Sequence, residues 1–253
     1  IPTMASVAET LLSDGYGQVG VCFGERIQTL SRDGESWVLP GGACASNLVL
    51  SGTLLAHPRS LAMLGRSDVP LRDAVPERHD LLLDQALAWI ADLNASIRWN
   101  LMLEFPAMDQ DPLPRQIWLT ARAQQQFGVE RLVLQRQQQG RRGLVIHARD
   151  DGSLITPETQ PQLLIIQEQR LLSVLPELLG PWPSLQRMVS SAHSRGVMRW
   201  GAAQPLEQGM PKALQWCNKA RVGFCGDWIA GPGFGMAEGA LQSGLDLAEL
   251  IAS

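Results

Sequence analysis

Apolar residues fall at helical spacing at the start of the chain, where Met4, Val7, Ala8, Leu11 and Leu12 would share one face of a short amphipathic helix capped by Thr3. The pattern then shortens. Val19–Phe23, Arg26–Leu30 and Trp37–Leu39 are brief apolar stretches divided by Gly24-Glu25 and by Asp33-Gly34, a hairpin turn signal, and together they predict a β-meander. Asn47–Gly52 reads as a buried strand, and a helix over Arg59–Leu64 follows His57-Pro58. Further on, Asp80–Leu93 is helical, and Ile97–Leu103, Gln116–Thr120, Leu132–Leu134 and Gly143–His147 are strands, the last two separated by the polar run Gln135–Arg142. Thr156–Leu179 predicts one long helix with a capping residue and a proline in its first turn, broken by Gly180-Pro181-Trp182-Pro183. Met188–Val189 and Val197–Trp200 then flank a polar turn. The chain closes with a strand at Val222–Cys225, a Gly-rich turn and a helix from Phe234 to Ala252. No internal repeat or long low-complexity stretch interrupts this order.

At 253 residues, 45% hydrophobic and 18% charged, the chain can bury one sizeable core or two smaller ones. A net charge of -4 and a pI near 5.6 supply no basic face for nucleic acid or an anionic membrane, which leaves a small-molecule substrate as the expected partner. The longest apolar runs, Leu163–Ile166 and Leu171–Leu175, end far short of the roughly 20 residues that a membrane span needs. Ile1-Pro2-Thr3-Met4 carries no basic segment followed by an apolar one, so no signal peptide is read there. An opening without Met at position 1 points to a truncated or separately processed chain, and a chain trimmed of a purification tag reads the same. Cys22, Cys44, Cys217 and Cys225 form no C-x-x-C pair and have no His at zinc spacing, so they are expected to be reduced thiols of a cytoplasmic protein. His57, His79, His147 and His193 are too scattered to predict a metal site.

Two glycine-rich segments carry candidate chemistry. Gly15-Tyr16-Gly17-Gln18-Val19-Gly20 satisfies the dinucleotide pattern G-x-G-x-x-G, but it follows a predicted helix and leads into a strand. The pattern works in the reverse context, where amides at a helix start face a pyrophosphate, so this copy reads as a turn into the meander. The segment Arg221–Gly244 has the right context: an apolar strand ends in Gly226-Asp227, a Gly-rich loop follows and a helix begins. A carboxylate at the end of such a strand can accept hydrogen bonds from ribose or ribityl hydroxyls, while unpaired amides at the helix start can face an electron-rich ring or an anion. Gly239 and Gly244 would permit close backbone approach. The residues alone are equally consistent with a Gly-rich turn packed under a C-terminal helix.

This segment resembles the C-terminal flavin-binding signature of the FAD-dependent amine oxidases, a Gly-Asp, a Gly-rich loop and a helix of pattern (V/M)-E-G-A-x-x-S-G, here Met236–Gly244. Other pieces resemble the renalase-like branch in order. They are Pro2-Thr3-Met4 (G-x-P-G-M), Glu25–Leu30 (the strand passing the adenine), Leu48-Val49-Leu50 through Pro58, Leu144–Ala148 (W-V-V-H-A) and Met198-Arg199-Trp200 (H-R-W). The resemblance implies an α/β (α+β) chain with FAD as cofactor. A partial Rossmann-like FAD-binding domain would be built from residues 1–65 and 201–253, around a mainly antiparallel substrate domain at 66–200. It further implies that Gly226 and Asp227 contact the ribityl and phosphate region of FAD, that Gly235 belongs to the cofactor site, that Met236, Ala237 and Glu238 bring helix-start amides to the flavin pyrimidine edge, that Ile27 offers its backbone to adenine, and that Trp200 is a wall of the substrate site. The chemistry implied is hydride transfer from a dihydronicotinamide or an amine to flavin, followed by reoxidation by O₂.

Two departures from the family pattern stand out. The N-terminal strand–GxGxxG–helix is absent, which makes a separate N-terminal Rossmann partner chain, or a non-catalytic remnant, the second reading. Met198 occupies the family's His position, and His193, five residues upstream, could replace it only if the intervening loop bends back. Ser190, Ser191 and Ser194 beside His193 invite a hydrolase reading, but no G-x-S-x-G elbow supports it.

Overall fold

The computed structural model describes residues 9–13, 19–22, 24–25, 27–52, 58–106, 114–137, 140–153 and 155–253. Pro2-Thr3-Met4, Arg26 and the stretch 14–18, which holds most of the first glycine pattern, lie outside them. Helices and mainly antiparallel sheets make an α+β chain. Residues 9–13 are helical (α1). The predicted meander is smaller than expected and displaced along the chain. Residues 19–22 and 27–30 have no regular structure, while β1 (Ser31–Asp33) and β2 (Ser36–Val38) pair antiparallel across the Asp33-Gly34 turn, and β3 (Cys44–Ala45) pairs with β2. Gly34 has φ 57°, the left-handed conformation that such a turn requires.

β4 (Leu48–Leu50) runs parallel to β11 (Val222–Phe224), which also pairs antiparallel with β10 (Trp216–Cys217). These strands, together with α2 (Pro58–Leu64), α3 (Leu71–Ala74) and α4 (Leu81–Asp92), surround a first core that includes Trp37, Leu71, Leu83, Ile90, Phe224 and Trp228. Val69, Leu71, Leu83, Leu87 and Ile90 belong to it, although a division at residue 66 groups them with the middle of the chain. The cause is local: the i, i+4, i+7 face of α4 (Leu83, Leu87, Ile90) is apolar and packs into the same core as β10 and β11. Asp80 caps α4, accepting from Leu82 N and Leu83 N, and also accepts from Ala220 N at 2.8 Å, tying the helix start to the turn before β11.

The second core lies on one face of a five-stranded antiparallel sheet in the order β6 (Gln116–Trp118), β7 (Val129–Arg136), β8 (Arg142–Arg149), β5 (Ala95–Phe105), β9 (His193–Pro205). Ile97, Trp99, Leu101, Leu103 and Phe105 alternate along β5 and are buried against α6 (Gln160–Leu178) and α7 (Pro183–Ser190). Leu171, Leu175 and Leu178 form the buried stripe of α6. Three helices were not expected, the four-residue α3 among them. α5 (Ala121–Phe127) is short and buries no residue, and α7 begins at Pro183 inside the segment read as a breaker. Met188 and Val189 therefore sit in a helix rather than before a turn. The helix α8 (Ala237–Ala252) closes the chain beside β11, with the Leu247 side chain seated on Gly223. No helix of the described residues is long and apolar enough to cross a membrane.

Candidate functional site

The face of the five-stranded sheet opposite α6 is polar, and register alone assembles its centre. Trp118 pairs with Arg131, Arg131 with His147, His147 with Asn100, and Asn100 with Met198, so one row of side chains crosses all five strands. Because side chains alternate between faces, Arg98 and Trp200, paired one dipeptide along, share this surface. Together with Ser96, Glu130, Ala203 and Gln204 most of these residues line a cavity of about 350 Å³. In the triplet Met198-Arg199-Trp200, Arg199 points the other way and its guanidinium stands 5.5 Å from the Trp99 ring centroid.

Hydrogen bonds fix the middle of the row. With the Asn100 amide oriented so that its oxygen faces the indole N–H of Trp200 and its NH₂ faces acceptors, the one orientation that satisfies its neighbours, its oxygen accepts from Trp200 Nε1 at 2.9 Å and its NH₂ donates to His147 Nδ1 at 3.0 Å and to Trp99 O at 3.1 Å. A His147 ring that accepts at Nδ1 carries its proton on Nε2, so the pocket is lined by a neutral imidazole with one defined donor. Burial, helped by the nearby Arg131 charge, holds the His147 pKa down at about 4. Arg98 pairs with Glu130 at 2.8 Å. Arg131 lies over the Trp118 ring at 4.9 Å, and no carboxylate among the described residues forms an ion pair with it.

The lowered His147 pKa sets a pH dependence. Below the unfolded value near 6.5 the unfolded chain takes up a proton that the folded chain does not, so stability contributed by this site is full above about 6.5 and is lost as pH falls toward about 4. Melting temperatures of the wild type and of His147→Gln, which retains an acceptor for Asn100, are expected to converge as pH falls through that window. Parallel curves would show that His147 does not titrate this way.

The second feature is the loop from β11 to α8. Gly226 has φ 148°, and a Cβ there would stand 2.3 Å from Trp228 Nε1. Its N–H donates to Ser243 Oγ at 2.8 Å, holding the turn to α8. The main-chain oxygen of Asp227 accepts from Gly235 N at 2.7 Å, and burial pushes the half-buried Asp227 carboxyl above its ordinary value. Gly233 and Gly235 have φ of 77° and 74°, which lets the loop fold back until Gly233 touches Gly239 in the first turn of α8. Met236 is the N-cap of α8 without a side-chain cap, and the amides of Ala237 and Glu238 have no acceptor among the described residues.

The two features adjoin. Gln204, at the rim of the sheet pocket, places Nε2 3.3 Å from where a Gly235 Cβ would be. The structure thus gathers Gly226, Asp227, Gly235, Met236, Ala237 and Glu238 into one loop and puts Trp200, half exposed, in the neighbouring pocket. Ile27 lies in residues 27–30, where Arg66 donates to Gln28 O at 3.2 Å, and it is in no strand. His193 is not carried on a loop that bends back. It opens the same strand as Trp200 and pairs with Glu104, about 20 Å along the strand from the pocket. His147, Asn100, Arg98, Arg131 and Trp118 were missed as site residues. The available signal was a set of polar side chains alternating with buried apolar ones on β5 and β8.

No protein-family model matches the sequence, and no curated protein matches it. Among solved structures, the chain is similar to an oxidoreductase from Methanosarcina mazei, with 12% identity, a TM-score of 0.48, and 97% of this chain and 52% of that one covered. It is also similar to Klebsiella pneumoniae HpxO complexed with FAD and uric acid, with 16% identity, a TM-score of 0.46, and 98% and 52% covered. The chain spans about half the length of the structures it matches.

Proposed function

We propose that this chain forms the flavin-facing loop and the substrate pocket of an FAD-dependent oxidoreductase of the renalase-like amine-oxidase group. The observation that carries this reading is the contact of Gln204 with Gly235, which sets the uncapped start of α8 beside the pocket walled by Trp200. The residues fit a flavin. Gly226 and Gly233 let the loop pack tightly against Trp228 and the first turn of α8, Asp227 offers a half-buried acceptor, and the Ala237 and Glu238 amides, with no acceptor among the described residues, offer donors. Gly226 and Asp227 would hold the ribityl and phosphate region, Met236, Ala237 and Glu238 the pyrimidine edge, and the Ile27 backbone the adenine, with Gly235 part of the same cofactor site. The flavin, when bound, supplies the two-electron acceptor for a hydride from a dihydronicotinamide or an amine. This chain's own task is to bind and orient that substrate between Trp200 and Trp118 and to exclude water from it. Where β5 begins and β9 ends the two strands are tied by Leu206 N, which donates to Asn94 O at 2.8 Å.

A second reading makes the chain a subunit completed by a separate dinucleotide-binding partner. It is favoured by β4, which ends the β10-β11-β4 sheet with one edge unpaired by any described strand and with Val49 exposed. The experiment is an absorbance scan of the purified chain before and after FAD is added and the excess removed. Retained visible flavin bands that Asp227→Ala abolishes are the expected result. A chain that stays colourless contradicts unaided flavin binding and favours the partner reading.

A further inference from the structure

We propose that the pocket on the open sheet face is a recognition site for a planar aromatic or heteroaromatic carboxylate, anchored by Arg131 between the indoles of Trp118 and Trp200. Its charge is set by three groups. Arg98 and Glu130 neutralise each other at 2.8 Å, which leaves Arg131 as the uncompensated charge in the described lining. The Arg131 guanidinium carbon lies over the Trp118 ring, 4.9 Å from its centroid, a cation–π contact that places the guanidinium at the pocket without using its N–H donors. A flat, pre-positioned fork of N–H donors matches the two oxygens of a carboxylate, and such charge-assisted pairs are the strong class of hydrogen bond.

The remaining lining suits a ring. Trp118 and Trp200 are large and half exposed, leaving apolar surface that a flat ligand would cover. Their placement is not adjustable at low cost. Trp200 is fixed by its indole N–H on Asn100, Asn100 by its bond to His147 Nδ1, and the two strands that carry Asn100 and His147 by direct register. The neutral His147 has Nε2–H as its one donor, which suits an oxygen or ring-nitrogen acceptor and rejects a donor such as an ammonium group. A cavity of about 350 Å³ accommodates a single substituted ring rather than a dinucleotide. A protonated amine would meet Arg131 with no unpaired carboxylate in the described lining to compensate it, and a dihydronicotinamide, whose carboxamide is neutral, would leave the Arg131 charge unmatched, so this pocket favours a carboxylate over both substrate classes implied by the resemblance. Calling the bound anion a substrate rests on the flavin reading, whereas its binding does not.

The test is a titration of the purified chain, without flavin, by tryptophan fluorescence and calorimetry with benzoate, benzamide and benzylamine, which share a ring and differ in charge. Benzoate is expected to bind at least about tenfold more tightly than benzamide, with benzylamine weakest. Arg131→Met should erase the preference for benzoate over benzamide, and Trp118→Leu should weaken both ligands together. Arg187→Met, on α7 behind the sheet, should change neither. Equal binding of benzoate and benzamide, tighter binding of benzylamine, or no binding of any of the three overturns the proposal. A colourless chain that binds benzoate overturns unaided flavin binding only, and a flavin-binding chain indifferent to benzoate overturns this inference only.

Discussion

Gly239→Ala and Gly244→Ala, the same substitution five residues apart in α8, are expected to shift stability in opposite directions. A Cβ on Gly239 would lie 2.2 Å from Gly233 O and 2.5 Å from Gly233 C, both backbone atoms of the folded-back loop, so no side-chain rotation relieves the overlap. Either the loop or the helix start must move, at a cost of about 3 kcal/mol, which for a chain of this size lowers Tm by roughly 6–12 °C. Gly244 faces open space within 4 Å and lies in the interior of the helix, where alanine is preferred over glycine by roughly 0.5–1 kcal/mol. Thermal unfolding of the two variants beside the wild type is the measurement. If Gly239→Ala melts with the wild type, the loop does not pack on α8 as described. The pair also separates two glycines that the sequence presents as alike: only Gly239 serves close backbone approach.

What could be read beforehand follows from how local each feature is. The β11–loop–α8 unit was legible because its signals are contiguous, an apolar run, Gly226-Asp227, a cluster of glycines and then helical spacing. The sheet strands were legible through their apolar stretches, but the pocket was not. Asn100, His147, Arg131 and Trp200 come together only through the order β6-β7-β8-β5-β9, in which β5 sits between β8 and β9, and nothing in any one strand states that order. α5 does carry local signals. Thr120 accepts from Ala123 N as its cap, and Gly128 ends it at φ 65°, but its residues are polar and bury nothing, so hydrophobic spacing could not report it. α7 is hidden for the opposite reason. Pro183 reads as a breaker in a Gly-Pro-Trp-Pro run, although proline is well placed at a first helical position, as it is here. The strand expected through Ile27 failed because apolar residues need a partner strand, and residues 27–30 have none among the described residues.

The joint between the two ends of the chain predicts the other large effect. Asp80 is buried, and its carboxylate accepts three backbone N–H groups: Leu82 at 3.0 Å and Leu83 at 3.3 Å from the start of α4, and Ala220 at 2.8 Å from the turn that delivers β11. The helix cap alone accounts for about 1 kcal/mol. Ala220 is fully buried, so its N–H would lose its acceptor in Asp80→Ala with no water to replace it, adding roughly 1–3 kcal/mol. The carbonyl of the same residue is also engaged, accepting from Trp37 Nε1 at 3.1 Å, so this stretch of chain cannot turn to find another partner without releasing a fully buried indole. Asp80→Ala is therefore expected to lose about 3 kcal/mol in denaturant unfolding. Asp80→Asn should fall between, because its one amide oxygen can serve α4 or Ala220 but not both. Hydrogen exchange separates the two contributions: the first turn of α4 should be deprotected in Asp80→Ala, and the Ala220 amide deprotected in both variants if the introduced carboxamide keeps its oxygen on the helix. An Ala220 amide that stays protected in Asp80→Ala would mean that the carboxylate caps α4 without holding β11, and the loss would then shrink to the cap alone.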